Sequence, residues 1–92
     1  MEISYDEAKR RQTLKARGLD FRSANLVFTG ICLTVEDDRH DYGETRYQTM
    51  GQLNDEVVML VWTPRDNGRR IISMRKCNGQ EREYYYTELA GF

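Results

Sequence analysis

The stretch Asp37–Gly51, DDRHDYGETRYQTMG, gathers residue types that a phosphodiester-handling site uses. It holds the single histidine of the chain, His40, with Arg39, Glu44, Arg46 and Tyr47 close by. A second concentration of cations follows: between Arg65 and Glu83, Arg65, Arg69, Arg70, Arg75, Lys76 and Arg82 face only Asp66, Glu81 and Glu83. Cleaving RNA through its 2′-hydroxyl needs a base for that proton, cations for the phosphorane and an acid for the leaving oxygen. Arg, His, Glu and Tyr can fill all three roles without a metal. The plainer reading of the same residues is a solvated loop, with arginines that pair with Glu36, Glu44 or Glu81. Asp37, Asp38 and Asp41 beside His40 match no calcium-loop spacing, so neither metal nor cofactor is expected.

Composition narrows the classes. The chain has 92 residues, 39% apolar and 32% charged, and reads as a single domain over 1–92. A chain of this size buries only about 60–65% of the surface its unfolded form exposes, so stability is modest and a partner matters. Net charge −1 and a pI of 5.8 exclude a bulk electrostatic nucleic-acid binder but leave room for a local basic patch. No apolar run is long enough to cross a membrane, and MEISYDEAKRRQ is no secretory signal. Cys32 and Cys77 are too few for a disulfide framework or zinc site. Two reduced thiols in a cytoplasm is the expectation.

The elements that must position these side chains can be read in order. Ile3 and Tyr5 suit a short edge strand, and Asp6 caps a helix over EAKRRQTLKAR that Gly18 closes. Asp20 is read as the cap of a second helix carrying Phe21, Ala24, Leu26, Val27 and Phe28. Residues 31–37 alternate Ile31, Leu33, Val35 against Cys32, Thr34, Glu36, which predicts a strand with one buried face. Strands over 44–53, 56–64 and 69–77 follow, the middle one apolar on both faces as a central strand would be. Asn78 and Glu81 form a capping box for a last helix that Gly91 ends. The order predicts an α+β fold: an antiparallel β-meander, two N-terminal helices packed on it, and a C-terminal helix.

Strict alternation along the last strand places Arg69, Ile71, Ser73 and Arg75 on one face and Arg70, Ile72, Met74 and Lys76 on the other. Arg75 then neighbours the N-terminus of the final helix, which favours anions, and Arg46 on a paired strand can reach the same surface. In the run Tyr84–Tyr86, Tyr85 with Leu89 suits the core, leaving Tyr84 or Tyr86 free to stack on a base or a partner.

Taken together, YDEAKRRQTLKARGLDF, VFTG, EDDRHDYGETRYQTMGQLNDEVVMLVWTPR and RIISMRKCNGQEREYYY resemble, in order and over nearly the whole chain, the BrnT toxins of bacterial type II toxin–antitoxin modules. The resemblance implies a RelE-like ribonuclease fold and a metal-independent endoribonuclease that halts translation. It also implies a cognate antitoxin partner, often of ribbon-helix-helix type, in a hetero-oligomer that meets promoter DNA through the antitoxin. On this reading Arg46, Arg65 and Arg75 bind and stabilise phosphate, with Lys76 nearby. His40 or Glu44 transfers the proton, and Tyr84 is a stacking or acid group. Two positions depart from the family pattern: Thr13 stands where Asn is common, and Arg17 where His is common. A guanidinium does not deprotonate, so Arg17 can bind phosphate but not act as acid or base. The alternative is a catalytically weak or inactive homologue that still binds an antitoxin.

Overall fold

The computed structural model describes residues 2–91. Its strands are β1 (Glu2–Tyr5), β2 (Cys32–Glu36), β3 (Tyr47–Leu53), β4 (Glu56–Arg65) and β5 (Gly68–Lys76); its helices are α1 (Glu7–Arg17), α2 (Ala24–Thr29) and α3 (Gly79–Ala90). The caps of α1 and α3 are set locally. Asp6 accepts from the N–H groups of Ala8 and Lys9, Gly18 adopts the left-handed conformation at φ 70°, and Asn78 and Glu81 complete a reciprocal capping box. Asp20 behaves differently from the sequence expectation. It caps a single 3-10 turn, Phe21–Ser23, that precedes a six-residue α2. Its carboxylate accepts from the Arg22 N–H and binds the Arg22 and Arg10 guanidinium groups, which tightens the turn.

The five strands lie in the order β1-β5-β4-β3-β2. β2 to β5 form the antiparallel meander, and β1 adds to the free edge of β5 in parallel, making the sheet mixed. Asn54 and Asp55, both at positive φ, close the β3–β4 hairpin. The β2–β3 connection is longer than the sequence predicted: β3 begins at Tyr47, and residues 37–46 form a loop closed where the Asp37 N–H donates to the Arg46 carbonyl at 2.8 Å.

β4 is the centre of both cores. Val58 and Leu60 point to the α1/α2 side with Phe21, Ala24, Val27, Ile71 and Met74, while Val57 and Met59 point to the α3 side with Met50, Cys77 and Tyr85. The backbone of α2 comes so close to β3 that a Cβ on Gly51 would lie 2.7 Å from Val27 Cγ1. The alternation in 31–37 predicted a buried face that β2 does not have. Ile31 and Val35 are exposed, and only Leu33 packs, against the α3-side cluster. β2 is a sheet edge, and its row toward α2 is the polar one: the Thr34 and Thr49 hydroxyls bond at 2.8 Å, and Trp62 Nε1–H donates to Thr49 at 2.8 Å.

A β-bulge corrects the face assignment in β5. The pairing passes from Val61↔Ser73 to Trp62↔Ile71, so Ile72 is an extra residue on β5. Arg69 and Ile71 therefore share the α1/α2 side with Met74, while Arg70, Ser73 and Arg75 share the α3 side. Arg69, Ile71, Ser73 and Arg75 do not lie on one face, because one inserted residue reverses the parity of everything before it.

Candidate functional site

α3 covers only one end of its side of the sheet. Tyr85 is buried there, its hydroxyl donating to the Ile31 carbonyl at 2.6 Å, and Leu89 packs beside it. Tyr84 and Tyr86 are about half exposed, and the Tyr86 hydroxyl accepts from Gln52. Beyond the helix the face is open, and the sheet register places arginines across it. Arg70 is opposite Thr63, Arg75 opposite Met59 and Arg65 opposite Gly68. Arg46 directly precedes Tyr47, whose ring lies against Trp62 on the other side, so alternation puts Arg46 on the α3 side.

Two carboxylates organise this patch. Glu44 accepts from Arg46 Nε at 2.9 Å and lies 3.6 Å from Arg65, bringing these three predicted residues into one cluster. The Arg46 guanidinium also stacks on Tyr42, 4.1 Å from the ring centroid. Glu81 binds Arg75 through two parallel bonds of 2.8 Å while accepting from the Asn78 N–H. Arg75 is raised above its ordinary value chiefly by Glu81, and the charge of Arg39 opposes that rise, which brings the 37–46 loop into the same electrostatic neighbourhood. Arg70 makes no ion pair among the described residues. A groove of about 290 Å³ beside Arg75 is lined by Val35, Gln48, Met50, Met59, Glu81 and Tyr84.

The other predicted residues make no ion pair within this patch. His40 is exposed on the loop, its ring edge-on at 5.7 Å to Tyr42, the ring that also carries the Arg46 guanidinium. Lys76 sits on the α1/α2 side with Met74 and pairs with Glu56 at 3.2 Å. Arg17 Nη1 donates to the Met74 carbonyl at 2.8 Å, bridging α1 to β5. Sequence reasoning missed Arg70, whose face was hidden by the bulge, but it named Glu81 as a partner for the arginines, and Glu81 does pair with Arg75. Cys77 is buried, and burial pushes its thiol up to about 11, the behaviour of a packing residue. Among the described residues no three His, Cys, Asp or Glu side chains converge to hold a metal ion, and no helix is long and apolar enough to cross a membrane.

A family model described as the ribonuclease toxin, BrnT, of type II toxin–antitoxin systems matches residues 5–81. The chain belongs to the BrnT toxin family. The BrnT match runs from the end of β1 through the first turn of α3, so it contains Glu44, Arg46, Arg65, Arg70, Arg75 and Glu81 and stops short of Tyr84. A BrnT toxin, as part of a type II system, has an antitoxin protein as its partner. No curated protein matches the chain.

The two shielded acids give the site a pH signature. The Arg39 guanidinium holds Asp37 down at about 2, and Arg75 holds Glu81 at about 2. Unfolded carboxyls titrate near about 4. A folded value below the unfolded one contributes stability that is complete above about pH 4 and disappears as pH falls through about 2. The urea midpoint is therefore expected to drop across this window. The double variant Asp37→Asn/Glu81→Gln should flatten the drop; an equally steep profile in the variant counts against both pairs.

Proposed function

We propose that this chain is a metal-independent endoribonuclease of RelE-like type that cleaves RNA, halts translation in the cytoplasm and is neutralised by a cognate antitoxin of ribbon-helix-helix type. One observation carries the reading: Arg46, Arg65, Arg70 and Arg75 share the open part of one sheet face, with Glu44 between two of them. Arginine forks suit phosphate oxygens and stabilise the charge that builds on a phosphorane. Glu44 is assigned as the base for the 2′-hydroxyl. Tyr84, on the groove beside Arg75, is assigned as acid or stacking group, and His40, packed on the Tyr42 ring that carries Arg46, is the alternative acid. Arg17 and Lys76 are left outside this assignment, since both are engaged elsewhere. RNA phosphate must displace Glu81 from Arg75, and binding that neutralises phosphates with several arginines is expected to weaken with salt.

The net charge of −1 and the carboxylate partners of Arg46, Arg65 and Arg75 favour a second reading, an antitoxin-binding homologue without catalysis. Expression without antitoxin separates the two. The wild type should arrest growth, and the purified protein should cleave RNA in the presence of a chelator. Arg70→Ala breaks no ion pair, so it should fold normally and cleave roughly ten- to a hundredfold more slowly, the loss of a charged hydrogen bond. A folded wild type that neither arrests growth nor cleaves RNA rejects the enzyme in favour of the binding module.

A further inference from the structure

A second cleft lies on the opposite face of the sheet, outside the arginine patch. It is an open cleft of about 500 Å³ lined by Tyr47, Trp62, Pro64, Asp66, Asn67 and Arg69, a size within the range of small-ligand sites, about 300–1,000 Å³. Its floor is aromatic and fixed. Trp62 lies 4.9 Å from Tyr47 with the rings tilted by 31°, meets Phe28 edge-on at 5.6 Å, and has its only polar group tied to Thr49. Both Tyr47 and Trp62 are half-buried, so each ring keeps open surface.

Arg69 forms the wall. Its guanidinium carbon is 4.0 Å from the Phe28 centroid and 5.1 Å from that of Trp62. Its Nε is buried without a hydrogen-bond partner, and the side chain makes no ion pair among the described residues. Arg10, Arg22, Arg39, Arg46, Arg65 and Arg75 all rest on carboxylates. A guanidinium held by ring faces, with one N–H buried and unpaired, lacks the acceptor that would complete it. Asp66 lines the same cleft yet leaves Arg69 unpaired.

We infer that this cleft is a stacking site for a nucleobase of single-stranded RNA. The base lies on Trp62 and Tyr47, Arg69 meets its carbonyl or phosphate oxygen, and Asp66 or Asn67 accepts from an amino edge. Aromatic platforms beside arginine bind single strands in this way. Arg46 and Tyr47 are consecutive and lie on opposite faces, so a strand held at Arg46 reaches the cleft by turning round the end of the sheet. The inference rests on RNA being the substrate of the arginine face.

Trp62 is the only tryptophan of the chain, so its emission reports the cleft directly. The probe is a short 2′-O-methylated oligoribonucleotide, which lacks the attacking hydroxyl and cannot be cleaved. Titration should quench Trp62 to saturation in the wild type. Arg69→Met and Tyr47→Leu, checked for folding by circular dichroism, should each weaken binding by roughly 5- to 100-fold, the range for loss of one stacked base. An oligonucleotide that fails to bind, or binds without changing Trp62 emission, overturns the site, as does wild-type affinity in both variants. So does emission that responds only to the antitoxin, which would make the cleft a protein interface. Cleavage of unmodified RNA is followed separately. Quenching without cleavage upholds the site and rejects the ribonuclease, whereas cleavage with silent Trp62 does the reverse.

Discussion

Replacing Arg75 with glutamine is expected to slow RNA cleavage by about 10²–10³-fold, the usual cost of removing a preorganised donor aimed at developing charge. In the proposed site Arg75 lies opposite Met59 on the open face, beside the groove that carries Tyr84, and its fork passes from Glu81 to the phosphate. The loss should fall on kcat more than KM, because a phosphorane carries more charge than the ground-state phosphate. Stability should change by less than about 1 kcal/mol, since the Arg75 side chain is 41% exposed and Glu81 keeps its capping bond to Asn78. Arg75→Lys restores the charge without the planar fork, and should recover only part of the rate. Single-turnover cleavage of a labelled RNA measures all three proteins. An Arg75→Gln variant as fast as the wild type would remove Arg75 from the chemistry.

The largest structural effect is expected at Tyr85. Its ring is 1% exposed among Met50, Val57, Met59 and Cys77, and is the main anchor of α3. Tyr85→Ala should cost about 3–5 kcal/mol through lost transfer energy and the cavity left behind. That is a large share of the 5–15 kcal/mol typical of a domain, so the variant is expected to be largely unfolded under mild denaturant. Tyr85→Phe keeps the ring and removes only the hydrogen bond to the Ile31 carbonyl, at about 1 kcal/mol. Urea melts of the two variants separate packing from hydrogen bonding. Equal losses would show that the hydroxyl, not the ring, holds the helix.

Much of this was legible in the linear chain. Asp6, Gly18, Asn78 and Glu81 act on backbone groups within a few residues of themselves, so the ends of α1 and α3 follow from local chemistry alone. The run EVVMLVW could be read as central because both of its parities are apolar, and Val58 with Leu60 and Val57 with Met59 indeed enter different cores. Tyr85 could be separated from Tyr84 and Tyr86 by helical spacing. The order of motifs from YDEAKRRQ to RIISMRK carried the BrnT resemblance, and the family model matches the same span.

Other features depend on what lies across the sheet. Strand alternation assumes an uninterrupted ladder, and the bulge at Ile72 is a property of the β4–β5 pairing, invisible in β5 by itself. It decided that Arg70 joins Arg46, Arg65 and Arg75, and that Arg69 turns to Trp62 instead. That neither row of β2 is buried follows from its place at the sheet edge, which leaves Ile31 and Val35 in solvent. The stretch from Asp37 to Gly51 shows both sides. Its residue types alone marked it as a place for phosphate chemistry, because charge and donor geometry belong to the side chain. Only the tertiary structure brought Glu44 between Arg46 and Arg65 and left His40 on the loop, because those distances depend on strands that meet in space and not in sequence.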